Sequence, residues 1–164
     1  MEDNKRENNN SESIKNPSLG EGNRVGVEEH KAEFSVRMAV RDYECDIEGI
    51  VNNANYLHYL EHTRHLFLKQ CGLSFAEMHR KGIDAVVARM TLQYKVPLRS
   101  DDEFISRLRI TKEGIKYVFH QDILRADDNK ISLRAKVELV CLVNGKLGQS
   151  PEYDEAFKEY IMNS

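Results

Sequence analysis

Asp46 stands three residues before Gly49 and seven before Asn53, in the stretch DYECDIEGIVNNANYLHYLEHTRHLFLKQC over 42–71. A carboxylate in such a loop can attack an electrophilic carbon or take a proton from water. Seven residues are enough to let it lie beside the start of the helix that the next stretch predicts. There the N–H groups of the first turn and the positive end of the helix dipole suit a developing oxyanion. Asp near Gly just ahead of a helix also fits a plain turn, and residue type alone does not choose between the two. Cys45 adjoins Asp46 without an evident His partner, which makes it a weak thiol nucleophile. Glu61 and Arg64, three apart, fit a salt bridge along the helix, with contact to a pocket as the second reading. His58 and His62 share the polar helix face with His65, and no further Cys, Asp or Glu cluster completes a metal site, so no metal is expected. Gly145 and Gly148 fit a hairpin rather than a phosphate loop.

The helix predicted over 54–71 would run roughly 27 Å at 1.5 Å per residue, the width of a small sheet. Tyr56, Leu60, Thr63, Phe67 and Cys71 recur at spacings of three and four, and Leu57, Tyr59, Leu66 and Leu68 widen that face. Asn55, His58, His62, His65 and Lys69 fall opposite.

Around this helix the period is two. Phe34, Val36, Met38 and Val40 alternate with Ser35, Arg37, Ala39 and Arg41. A segment over 73–82 adds one or two helical turns closed by Gly82. Then 83–96 reads as a strand with Val86, Ala88, Met90, Leu92, Tyr94 and Val96 on one face, ended by Pro97. Strands around Phe104, Leu108 and Ile110 and around Tyr117, Phe119 and Ile123 are joined at Glu113 and Gly114. The alternation from Leu133 to Val143 follows, then the Asn144-Gly145 hairpin and a helix from Pro151 through Tyr160. The fold class is α+β: an antiparallel sheet curled around one long helix. The outer sheet face, with Arg107, Arg109, Arg134 and Lys136, is expected to meet solvent or a partner subunit.

The chain has 164 residues, with 24 Lys plus Arg against 27 Asp plus Glu and a net charge of −3. That balance gives no basic field for nucleic acid. No apolar run suggests a membrane span, and the polar stretch 1–30 reads as a disordered tail before one domain over 31–164. Three cysteines at unrelated spacings fit free thiols and a cytoplasmic location.

Asp46, Gly49, Val51, Asn53, Tyr56, Glu61 and Arg64 together resemble the motif of the hot-dog thioesterases of the 4-hydroxybenzoyl-CoA thioesterase type, and are similar to the acyl-ACP thioesterases of that fold. The resemblance covers about 34–143. It departs at Asn52-Asn53, where several bacterial members carry Tyr-His or Trp-Tyr, a difference that bears on the substrate more than on the reaction. It implies hydrolysis of acyl-CoA or acyl-ACP, with Asp46 as nucleophile or general base and the backbone N–H of Asn53 in the oxyanion site. Gly49, Val51, Tyr56, Tyr59, Glu61 and Arg64 would then border the substrate, and Val86, Met90, Tyr94 and Phe67 are candidates for the acyl channel or for core. Lys112 and Lys116, beside the Gly114 turn, would meet phosphate at a subunit boundary or stay as ordinary surface lysines. No cofactor is implied, because coenzyme A or phosphopantetheine enters as part of the substrate. A homodimer or homotetramer is implied as well. The alternatives are a non-catalytic acyl-CoA-binding or regulatory domain, which the retained Asp46 argues against, and a hydratase or dehydratase, which would want an Asp/His pair this helix does not place well.

Overall fold

The computed structural model describes residues 33–161, so the expected tail over 1–30 lies outside the described residues. Strand β1 (Phe34–Ala39) leads through a short 3-10 turn (Asp42–Glu44) to helix α1 (Asn53–Gln70). Helix α2 (Phe75–Arg80) follows, then strands β2 (Ile83–Tyr94), β3 (Glu103–Glu113), β4 (Lys116–Arg125), β5 (Ile131–Val143) and β6 (Lys146–Gly148), and helix α3 (Pro151–Phe157). The main sheet runs β1-β3-β4-β5-β2, every pairing is antiparallel, and β6 extends β5.

Helix α1 lies on the inner face of this sheet and buries Tyr56, Tyr59, Leu60, Thr63, Arg64, Phe67 and Leu68. The spacing of three and four makes one stripe, and that stripe includes a cation, Arg64, which the periodicity does not place there. Phe67 is fully buried. Its ring lies 5.7 Å from Phe34, 5.9 Å from Phe119, 5.5 Å from Phe157 and 4.9 Å from Tyr160, so one side chain ties β1, β4 and the C-terminal segment to the helix. Polar bonds fix the helix along its axis. Thr63 Oγ1 lies 2.7 Å from Ser106 Oγ of β3, and Arg64 Nη1 donates to Gln121 Oε1 of β4 at 2.8 Å.

The face expected for β2 holds over only half its length. Val87 pairs with Leu139 but Arg89 pairs with Glu138, so Ala88 is an extra residue and a β-bulge. Directly paired residues share a sheet face. Ile83, Ala85 and Val87 therefore lie on the inner face before the bulge, and Met90, Leu92 and Tyr94 after it. Val86 consequently sits on the outer face, contrary to the simple alternation. Helix α3 stops at Phe157, short of Tyr160, although Tyr160 remains buried against Phe67. No helix among the described residues is long and apolar enough to cross a membrane.

Truncating the ring that gathers four neighbours should cost more than any other single change on α1. Phe67→Ala is expected to lower stability by about 3–5 kcal/mol, read by denaturant unfolding. A loss below about 1 kcal/mol would mean that the helix is not anchored there.

Candidate active site

The loop between β1 and α1 is closed on itself. Cys45 bridges Val51, the Asp46 N–H donates to the Ile50 carbonyl at 2.9 Å, and the Gly49 N–H donates back to the Asp46 carbonyl at 3.0 Å. Gly49 has φ of +71°, a backbone state that a side chain would strain. The Glu48 N–H donates to Asp46 Oδ1 at 3.0 Å. Asp46 is thus a turn residue through one oxygen, while its other oxygen has no partner among the described residues. The loop is held to the helix by the Glu44 carbonyl, which accepts from the Asn52 N–H at 3.0 Å and from Asn55 Nδ2 at 2.7 Å.

Asn52 is the N-cap of α1, and its side chain accepts from the Ala54 N–H at 3.0 Å. The Asn55 N–H goes to the Asn52 carbonyl. The cap therefore satisfies the Ala54 and Asn55 amides, and among the described residues the Asn53 N–H has no acceptor. Asp46 and Asn53 line one cavity of about 350 Å³, together with Tyr56, Tyr94, Lys95 and Ser132. Ile50, Val51, Val96 and Pro97 supply the apolar wall. Two phenols frame it. Tyr94 donates to the Asn53 carbonyl at 3.0 Å, and Tyr56 accepts from the Leu98 N–H at 3.0 Å, with the two rings 5.6 Å apart, edge to face. Burial pushes the Tyr56 phenol above its ordinary value, partly offset by the Leu98 amide, so it stays protonated.

The structure gathers Asp46, Val51, Asn53, Tyr56 and Tyr94 into this cavity and places other sequence candidates elsewhere. Tyr59 turns away to donate to Glu44 Oε2 at 2.7 Å. It lines a separate cavity with Glu44, His58 and His62. Burial and the Glu44 carboxylate together hold the Tyr59 phenol far above its usual titration range. Glu61 is exposed and does not form the expected salt bridge with Arg64, whose guanidinium points inward to Gln121. Burial lowers the proton affinity of Arg64, partly countered by the charge of Glu61. Lys112 pairs with Asp154, and Lys116 with Glu138 at 2.7 Å; neither lines the cavity. Phe67 is core, and Val86 and Met90 do not reach the cavity. Among the described residues no group of three or more His, Cys, Asp or Glu side chains could hold a metal ion.

Sequence reasoning missed Lys95 and Ser132. Lys95 directly follows Tyr94, already placed on a sheet face, and the nearby Pro97 marks where that strand must leave the sheet and form a wall. Ser132 carries no such signal, because its inward position depends on the pairing of β5 described below.

The thioesterase-like superfamily model matches residues 40–161. The acyl-acyl carrier protein thioesterase ATL3, chloroplastic, of Arabidopsis thaliana is 36% identical over 110 residues, 66% of this chain and 58% of the relative. This chain thus spans little more than half of that relative's length. The putative acyl-CoA thioesterase YneP of Bacillus subtilis is 30% identical over 113 residues, 68% of this chain and 78% of the relative. A crystal structure of a 1,4-dihydroxy-2-naphthoyl-CoA thioesterase from Synechocystis superposes with a TM-score of 0.72 at 18% identity, covering 77% of this chain and 96% of that one, which shows the shared hot-dog fold. The family match takes in the Asp46 loop, the whole of α1 and every strand from β2 to β6, and the chain belongs to the thioesterase-like superfamily.

Proposed function

We propose that the protein is an acyl thioesterase that hydrolyses acyl-CoA or acyl-ACP in the cavity between the Asp46 loop and the start of α1. The observation that carries this reading is the meeting of a half-satisfied carboxylate and an unbonded helix N–H in one cavity. With the thioester carbon beside Asp46, the carbonyl oxygen takes up negative charge and the Asn53 N–H and helix dipole stabilise it. Asp46 either adds to that carbon or removes a proton from the water that does. Where Asp46 adds, the C–S bond breaks to leave an acyl–Asp46 anhydride, and water hydrolyses it to the carboxylic acid while supplying a proton to the departed thiolate. Where Asp46 takes a proton from water, the hydroxide adds directly, the C–S bond breaks, and that proton passes from Asp46 to the leaving thiolate. No cofactor enters these steps. The names of the plant and bacterial relatives support both carriers, and three cysteines at unrelated spacings fit a reducing compartment such as the cytoplasm.

Lys95 is the cation on the cavity wall, and we assign it the phosphate of the coenzyme A or phosphopantetheine arm. Lys112 and Lys116, already paired with carboxylates, are the weaker candidates. The working unit is a dimer or a dimer of dimers. Among the described residues strand β2 pairs only with β5, which leaves its other edge open, and Val86 and Val87 are exposed beside it.

Asp46→Asn keeps the acceptor for the Glu48 N–H, so the fold should survive while turnover of acyl-CoA falls by about 10²–10⁴-fold. A fully active Asp46→Asn protein would remove Asp46 from the chemistry. Lys95→Ala should raise KM for acyl-CoA several-fold at low salt and leave kcat near its starting value, whereas the Lys112→Ala, Lys116→Ala double variant should change neither; the reverse pattern would move the phosphate site to the Gly114 turn. Light scattering should give a mass at least twice the 19.0 kDa of one chain, and a monomer would reject the open-edge assembly.

A further inference from the structure

Ser132 is 1% exposed, and its hydroxyl is buried without a hydrogen-bond partner among the described residues. Leaving a buried hydroxyl unsatisfied carries a real cost, so a partner that the described residues do not supply is the economical explanation. The position is also built. Ile123 of β4 pairs with Leu133, but the next residue, Leu124, pairs with Ile131. Ser132 is therefore the extra residue of a bulge in β5, and both Ser132 and its neighbour Leu133 are buried where strict alternation would turn one of them outward. On the other side, the Ser132 carbonyl accepts from the Lys95 N–H at 2.9 Å, which fixes the bulge against the wall that carries Lys95. The residue lines the same cavity as Asp46 and Asn53.

We infer that the Ser132 hydroxyl is a substrate-positioning contact of this cavity, hydrogen-bonding a carbonyl or amide oxygen of the bound thioester. The inference rests on the thioesterase reading and deepens it. Two parts of the substrate carry that chemistry, the acyl group with its carbonyl and the amides of the pantetheine arm. A bulge is a suitable device for this contact, because it delivers a single polar atom into an otherwise apolar strand face without breaking the pairing on either side.

The test measures binding apart from turnover, on the full chain. The probes are free CoA and the hexanoyl-CoA and dodecanoyl-CoA analogues with CH₂ in place of the thioester sulfur, which cannot be hydrolysed, titrated by calorimetry. Ser132→Ala should bind the analogues about three- to tenfold more weakly, the loss of one hydrogen bond. Ser132→Cys, close in shape but a poor hydrogen-bonding group, should weaken them similarly. Both variants should melt at or above the temperature of the parent, because an unsatisfied hydroxyl is removed from the ligand-free protein. Weakened binding of free CoA as well places the contact on the pantetheine arm; weakening of the analogues alone places it on the acyl group, and either supports the inference. Unchanged binding of every probe, with or without a fall in melting temperature, overturns it and leaves the thioesterase reading standing. A parent protein that binds none of the probes overturns both.

Discussion

The backbone carbonyl of Glu44 does more positioning than any side chain in the cavity. By accepting from both the Asn52 N–H and the Asn55 side chain, it fastens the end of the 3-10 turn to the first turn of α1. Everything between those two points, Asp46 included, is then a short loop tied at both ends. The same region is fastened to the β2–β3 connection, since Leu98 accepts from the Val51 N–H and donates to the Tyr56 hydroxyl. In the proposed reaction a carboxylate and a helix amide act on one carbonyl group, which requires a fixed separation between them. Backbone bonds in a buried setting are the means that least depends on side-chain rotamers.

The carboxylate of Glu44 is also committed, but to stability rather than chemistry. It accepts from the Tyr59 hydroxyl and from the Arg41 N–H at 2.8 Å, which closes off an acid that would otherwise sit unpaired under the helix. Arg64 shows the same logic with opposite charge, its guanidinium bonded to Gln121, which in turn donates to the Leu60 carbonyl at 3.1 Å. These bonds set the helix in one axial register on the sheet, a task that apolar contacts alone perform poorly because they lack direction. Asn53 thereby reaches the cavity at a defined height.

The architecture was legible because it depends on periodicity, and the helix stripe, the strands and the Asn144-Gly145 turn all declare themselves in the order of residue types. Asn144 and Gly145 indeed both adopt positive φ, 51° and 76°. Asp46 was legible as a group beside the helix start because seven residues of one loop fix that proximity locally, whereas Val51, Asn53 and Tyr56 were legible as site residues through the family motif they resemble. What failed was long-range. The Glu61–Arg64 pair was expected from helix spacing, but Gln121 is 57 residues away and no local pattern announces it. The same holds for Lys112, whose partner Asp154 lies on α3, and for Tyr59, whose choice of Glu44 requires the packed helix to exist first. Spacing shows which residues share an element; it does not show which distant partner takes a polar group.

The two bulges explain how a regular sheet comes to border an irregular cavity. Before Ala88 the inward residues of β2 are odd-numbered, and had that parity continued, Tyr94 would face the outer side with Thr91 and Gln93 on the inner one. One inserted residue reverses this. Tyr94 turns inward opposite Leu133 and its hydroxyl reaches the Asn53 carbonyl, while Thr91 and Gln93 join Arg109, Asp122 and Arg134 in the outer-face groove. The bulge at Ser132 does the corresponding work on the neighbouring strand, bringing a hydroxyl into a row that would otherwise be Leu133, Ala135 and Val137. In the proposed reaction the Asp46 loop and the helix start supply the reacting groups, and the bulged strands supply the wall beside them.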